Sequence, residues 1–272
     1  GRAGALSGAA WRRCILKCVI LIASHKKYWM PEDKMYLPIQ VGAAGEPDLG
    51  YIRDDTGDNI SVRNKNYCEL TGLYWAWKNL DADYLGLAHY RRHFTMKGNK
   101  GDKTERVISS AQIESLLSKC DVLLPKVRNY YIETNYGQYV HAHHAQDLDR
   151  TRQILSEKYP DYLPAFDACM KRKFGHRFNM FVMKWDILDR YCQWLFDILF
   201  ELERRLDISA YNAYDARVFG FVGERMLDVW LKKNGVDSMD IPYIFMEKQN
   251  WIVKGGRFLK RKLCYKDADF VS

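Results

Sequence analysis

Asp83-Tyr-Leu-Gly-Leu-Ala-His89, continuing as Tyr90-Arg91-Arg92-His93, is a short apolar run that ends abruptly in charge. A run of this length with polar flanks predicts a buried strand that delivers a loop at its C-terminal end. In open α/β sheets that edge is where ligands sit. Lys17 to Ser24 has the same apolar, β-branched character and runs into Ser24-His25-Lys26-Lys27. Between the two, Leu70, Leu73, Tyr74 and Trp77 recur at helical spacing within Asn66 to Asn79, which predicts an amphipathic helix packed on the sheet. Strand, helix and strand in this order predict a parallel α/β unit.

Downstream, Asp121-Val-Leu-Leu-Pro125 reads as a third strand stopped by proline, and Phe178-Asn-Met-Phe-Val-Met183 as a fourth. Gln146 to Lys158 reads as a helix whose Asp147 and Asp149 suit the positive end of its dipole. Asp186 to Leu206 carries an apolar stripe of Leu188, Tyr191, Leu195, Ile198, Leu199 and Leu202. Arg217 to Lys233 is a further helix, with Phe221, Met226, Leu227 and Trp230 expected to be buried. No repeat or long linker interrupts this order. The expectation is an α/β fold, a mostly parallel central sheet flanked by helices with an elaborated helical second half. Residues 16–262 form one domain, after a 1–15 leader or expression remnant and before a 263–272 tail.

With 272 residues, 47% of them hydrophobic, the chain can bury one large core. The formal charge of +8 favours polyanionic partners such as diphosphates, acidic lipids or nucleic acid. No nucleic-acid-binding motif is present, so that class is set aside. Part of the excess lies in Arg2, Arg12, Arg13 and Lys17, and part in Lys248, Lys254, Arg257, Lys260, Arg261 and Lys262. The second group is interleaved with Trp251, Phe258 and Leu259, a pattern that suits either an anionic membrane face or a solvated basic tail. Aromatics at 14% suit a carbohydrate or nucleobase surface as well as a large aromatic core. The seven cysteines, Cys14, Cys18, Cys68, Cys120, Cys169, Cys192 and Cys264, form no C-x-x-C pair and no zinc spacing, which fits reduced thiols in a cytoplasmic protein. Cys18 to Ala23 is too short to span a bilayer.

Three constellations could carry chemistry. Arg91 and Arg92 are adjacent, permanently charged forks that suit phosphate oxygens, in a segment flanked by His89, Tyr90 and His93. His141, His143 and His144 lack helical zinc spacing and a companion ligand set, so hydrogen bonding to a sugar or phosphate by His143 or His144 is the favoured reading. Glu224, in Gly220-Phe-Val-Gly-Glu-Arg225, and Asp215 are carboxylates of the type that takes a proton from an attacking hydroxyl, unless each is satisfied by a neighbouring Arg. Asn66 and Glu69, three apart, share a helix face toward the same cleft.

The stretches Ser61 to Asn79, Tyr84 to Phe94, Phe178 to Met183 and Gly220 to Arg225 resemble the blocks of a bacterial domain family catalogued without a function. Its members are encoded among capsule, exopolysaccharide and O-antigen genes, and glycosyl transfer, including galactofuranosyl transfer, is among their described activities. The resemblance runs from Leu16 to Lys262. It implies a GT-A-like, Rossmann-type fold in which Ala23, Ser24 and His25 lie by uracil and ribose. His89, Tyr90 and Arg91 then stand where such enzymes carry an acidic metal motif, which leaves a manganese or magnesium ion open as a cofactor but without an Asp-x-Asp to hold it. Asn179 and Met180 would line the donor sugar, and Glu224 would occupy the position of the acidic base. The implied partners are a UDP-sugar donor and a glycan or lipid-linked acceptor. The alternative is a non-catalytic sugar-nucleotide or glycan-binding subunit.

Overall fold

The computed structural model describes residues 16–247. Arg2, Arg12, Arg13, Cys14 and the basic stretch from Lys248 through Lys262, with Cys264, lie outside the described residues. Eleven strands are described: β1 (Cys18–Ser24), β2 (Tyr36–Gln40), β3 (Ile52–Arg53), β4 (Tyr84–His89), β5 (Arg92–Phe94), β6 (Val122–Pro125), β7 (Arg128–Asn129), β8 (Phe174–Gly175), β9 (Phe181–Lys184), β10 (Met239–Ile241) and β11 (Tyr243–Phe245). The α-helices are α1 (Asn64–Tyr67), α2 (Leu70–Asn79), α3 (Ser110–Leu117), α4 (Asn135–Val140), α5 (Ala145–Lys158), α6 (Leu163–Lys171), α7 (Trp185–Arg205) and α8 (Val218–Asn234).

The central sheet runs β10-β6-β9-β4-β1-β2-β3, with β5 and β11 joined to it beside β4. β1 pairs in parallel with β2 and β4, and β2 with β3. β9 is antiparallel to both β4 and β6. The register sets Ala23 opposite His89, so β1 and β4 release their loops side by side at one edge. Both faces of β1 are dry: Ile20, Leu21, Ile22 and Ala23 are fully buried. Because successive side chains of a strand point to opposite faces, Leu21 and Ala23 join the larger core with α2, α5, α6, α7 and α8. Ile20 and Ile22 join the smaller one around α3. At Gly86 of β4 a Cβ would stand 3.0 Å from Ile20 Cγ1 and from the Phe181 carbonyl, so strands pack there with no room for a side chain.

The stripe expected on Asp186 to Leu206 is buried at each of its six positions on α7. Three expectations change. The single helix over Asn66 to Asn79 is two, α1 and α2, because Cys68 takes φ 53° and ψ −133°, outside any helical conformation. The strand expected from Phe178 begins at Phe181, because Phe178 and Asn179 both have left-handed φ values of 78° and 50°. Phe221 is half-exposed: it packs at the margin of the core, with the rings of His143 and Tyr214 on it.

His176 ties α8 to β10. Its Nδ1 meets Asp228 Oδ1 at 2.5 Å and its Nε2 meets Asp240 Oδ1 at 2.9 Å. Burial on its own would lower the His176 pKa, but the two carboxylates outweigh it and raise it to about 9 from 6.5. The imidazolium therefore stabilises the fold fully below about pH 6.5, and that contribution is lost as pH rises through about 9. Melting temperatures of the native chain and of His176→Gln should differ by several degrees at pH 6, with the native chain higher, and converge toward pH 9.5. A gap that stays constant with pH would remove this assignment.

Candidate active site

A cleft of about 660 Å³ opens at the edge where β1 and β4 end, lined among others by His25, Asn66, Cys68, Glu69, His89, Arg91 and Arg217. Its outer wall is built around Asp54, whose buried carboxylate takes four donors. Gly42 N–H and Ala43 N–H reach it at 2.9 Å each, Ser61 Oγ at 2.5 Å and Thr71 Oγ1 at 2.6 Å. Gly42 has φ +66°, and a Cβ on it would fall 2.6 Å from Asn64 Oδ1, so glycine is required on both counts. Asn64 in turn donates to the Cys68 carbonyl at 2.7 Å and to Thr71 Oγ1 at 3.0 Å. The break between α1 and α2 is thereby held open.

At that break sits Glu69. Its Oε1 accepts from Asn179 Nδ2 at 2.9 Å. Burial raises the Glu69 pKa above the ordinary carboxylate range, the Asn179 donor pulls it back, and the Glu224 charge adds to the rise. Left-handed Asn179 and the distorted Cys68 are thus both in contact with, or next to, this carboxylate. Backbone strain of this kind persists where the surroundings over-determine it, and it gathers at functional sites.

The rest of the lining is largely cationic. Arg91 lines the cleft half-buried, with its Nη1 3.8 Å from Glu247 Oε2. Arg217 joins it from the turn before α8 and donates from Nε to Cys68 Sγ at 3.1 Å. His25 and His89 complete the wall. Burial and then the Arg92 and Arg91 charges push His89 down to about 2, so its imidazole is neutral at physiological pH. Its Nδ1 accepts from the Arg91 backbone N–H at 3.3 Å, which leaves Nε2 as the protonated, donating nitrogen. Burial, then Arg91 and Lys26, likewise lowers His25.

The residues singled out from sequence therefore divide. His25, Asn66, Glu69, His89 and Arg91 meet at the cleft. Asn66 reaches it while donating to the Ala216 carbonyl at 2.7 Å, which fixes the turn that carries Arg217. Asn179 stands directly behind Glu69. Arg92, although next to Arg91, is turned away and stacks over Phe178 at 4.2 Å and Phe245 at 5.5 Å. Tyr90 is buried as a plinth between the rings of His25, Tyr28 and His89. Ala23 and Met180 are core residues, and Ser24 is buried with its hydroxyl donated to the Lys26 carbonyl at 2.6 Å. Glu224 is half-buried, 3.5 Å from Arg225 Nη1. Asp215 is engaged by His143 at 3.2 Å, His144 at 3.5 Å and Asn212 Nδ2 at 2.6 Å. His143 lies under Tyr214 and Phe221, and His144 on Tyr211. His141 goes elsewhere, to Glu133 at 2.9 Å. Among the described residues no three His, Cys, Asp or Glu side chains gather as a metal site. Sequence reasoning did not place Arg217 at the site, and Arg91, 126 positions away, gives no local signal for it.

The profile of a family described as a domain of unknown function, DUF4422, matches residues 19–235. The chain belongs to this family. Among solved structures, it is similar to the apo structure of WbbM, a bifunctional glycosyltransferase, at 30% identity and a TM-score of 0.78. The match covers 85% of this chain and 46% of that one, so the chain spans under half the length of WbbM. No curated protein matches by sequence. The α/β architecture, a mostly parallel sheet with helices on both faces, is thus that of a solved glycosyltransferase structure. No helix among the described residues is long and apolar enough to cross a membrane.

Asn179→Ala removes the donor to Glu69 and leaves a side chain at φ +50°, so it should cost about 1–3 kcal/mol in denaturant unfolding. Asn179→Gly keeps the first loss but relieves the second, and should fall between Asn179→Ala and the native chain.

Proposed function

We propose that this chain is a glycosyltransferase that carries a hexosyl residue from a UDP-sugar to a glycan or lipid-linked acceptor in surface polysaccharide synthesis. One observation carries the reading: two guanidiniums, Arg91 and Arg217, and a half-buried carboxylate, Glu69, line a single cleft in a fold similar to that of WbbM. The donor diphosphate lies against Arg91 and Arg217, with the Nε2–H of His89 as a neutral third donor. The Arg91–Glu247 pair is long and partly exposed, so exchanging Glu247 for phosphate costs little. As the glycosidic bond breaks, charge builds on the departing diphosphate, and fixed cations there lower the barrier. Uracil and ribose sit by His25 at the end of β1. UDP-galactofuranose is the donor to test first.

Glu69 takes the proton of the acceptor hydroxyl. Of the three carboxylates considered, it alone lines the cleft; among the described residues no salt bridge engages it, and the Arg217 charge only offsets part of the rise in its pKa. A raised pKa also brings a base closer to the operating pH, where general-base catalysis is most effective. A divalent cation does not fit the donor wall, because two guanidiniums already occupy the place where its charge would act.

Three outcomes follow in one set of assays. UDP should raise the melting temperature in the presence of EDTA, and Arg91→Ala and Arg217→Ala should each abolish the shift. Glu69→Gln should keep the shift yet lower kcat by about 10²–10⁴, far more than Glu224→Gln or Asp215→Asn. The acidic limb of the pH–rate profile should lie above the ordinary carboxylate range and move further up in Asn179→Ala, because the donor that stabilises the ionised form is gone. Binding of UDP without turnover of any UDP-hexose would favour a sugar-nucleotide-binding subunit instead.

A further inference from the structure

The ribbon formed by β7 and β8 stands at the same sheet edge as the cleft. β4 and β6 are each antiparallel to β9 and hence parallel to each other, so His89 and Pro125 end their strands at one edge. β7 begins three residues beyond Pro125. Arg128 pairs with Gly175 and Asn129 with Phe174, and the Tyr130 N–H donates to the Lys173 carbonyl at 2.7 Å. Beyond these pairs the ribbon displays large apolar side chains to solvent: Tyr131 is 78% exposed, Ile132 56% and Phe174 43%. Tyr131 is held in that position with φ +60°, its N–H on Asn129 Oδ1 at 2.8 Å.

The side chains of the tip itself carry charge of one sign, and the acids nearest it, Glu133, Asp228 and Asp240, are each engaged by a histidine. Residues 126–132 and 171–174 contain Lys126, Arg128, Lys171, Arg172 and Lys173 and no Asp or Glu. Arg128 lies over the Tyr130 ring and Arg172 over the Phe174 ring, each at 5.6 Å, so cations and rings interleave. Exposed apolar tips interleaved with cations match an anionic bilayer: rings enter the boundary between headgroups and acyl chains while the cations meet lipid phosphates. A stable protein partner would need about 800 Å² on each side, more than a two-residue ribbon offers.

We propose that the β7–β8 tip docks the protein on an anionic membrane surface and turns the mouth of the cleft toward the bilayer. The acceptor is then met at headgroup level, a consequence that rests on the glycosyltransferase reading, whereas the docking itself does not. The tip is tied to the site through Tyr130, whose hydroxyl accepts from Arg177 Nε at 2.8 Å, two residues before Asn179.

Flotation of the full chain with vesicles of phosphatidylcholine alone, or with added phosphatidylglycerol, tests the docking. The native chain should float with the anionic vesicles only. Tyr131→Ser combined with Ile132→Ser, and separately Arg128→Glu combined with Lys173→Glu, should each lower the bound fraction by about tenfold. Both pairs should retain the native UDP melting shift, which shows that they fold. Equal flotation of both variants and the native chain, or no flotation of the native chain, would overturn the docking surface. A missing UDP shift in a native chain that still floats would strike the glycosyltransferase reading and leave the docking intact.

Discussion

The buried carboxylate of Asp54 is the contact on which the cleft depends. A buried polar group is stable only when its hydrogen-bonding capacity is satisfied, and here two backbone N–H groups and two hydroxyls supply that. Those four donors come from three places: the turn after β2, the approach to α1, and the first turn of α2. Drawing them to one point brings Gly42 against Asn64 and sets Asn64 on the Cys68 carbonyl. The interruption between α1 and α2 is a product of this convergence, and it presents Glu69 to the cleft.

A second convergence meets the first from the other side of the sheet edge. Phe178 and Asn179 leave the extended conformation just before β9, which aims the Asn179 amide at Glu69 and at the Gly220 carbonyl of α8. Two non-glycine segments in costly backbone conformations therefore face each other across one carboxylate. The strain is supported by the large core, where α7 packs against β4 and β9, and α8 against α6 and α7. The cationic wall needs less support, because Arg91 follows β4 directly and Tyr90 beneath it is locked among aromatic rings.

Local chemistry made much of the fold legible. The apolar runs of β1, β4 and β6 and the stripes of α2 and α7 are periodic enough to be read residue by residue. Ser109 and Gln112 form a capping box at the head of α3, a start signal written in the sequence that periodicity alone passes over in so short a helix. The two-residue strands β3, β7 and β8 carry no period at all and exist only because a partner strand is present. Left-handed φ values at Cys68, Phe178 and Asn179 were likewise invisible, since none of these positions is glycine.

By itself the sequence determined the parallel α/β unit, the edge at which the cleft opens, and the candidacy of His25, His89, Arg91, Asn66 and Glu69 as residues of one cleft. The strand-end residues follow from buried runs that end in polar loops; Asn66 and Glu69 were expected on one helix face, and they reach the cleft instead from either side of the break at Cys68. Tertiary structure alone decided that Arg217 rather than Arg92 is the second guanidinium of the cleft, that Asp215 is taken up by histidines, and that Glu69 rather than Glu224 lines the wall. Side-chain direction after a strand turns on one residue of register, and partners separated by more than a hundred positions meet only when the core closes. Those choices are made by packing, which no local spacing encodes.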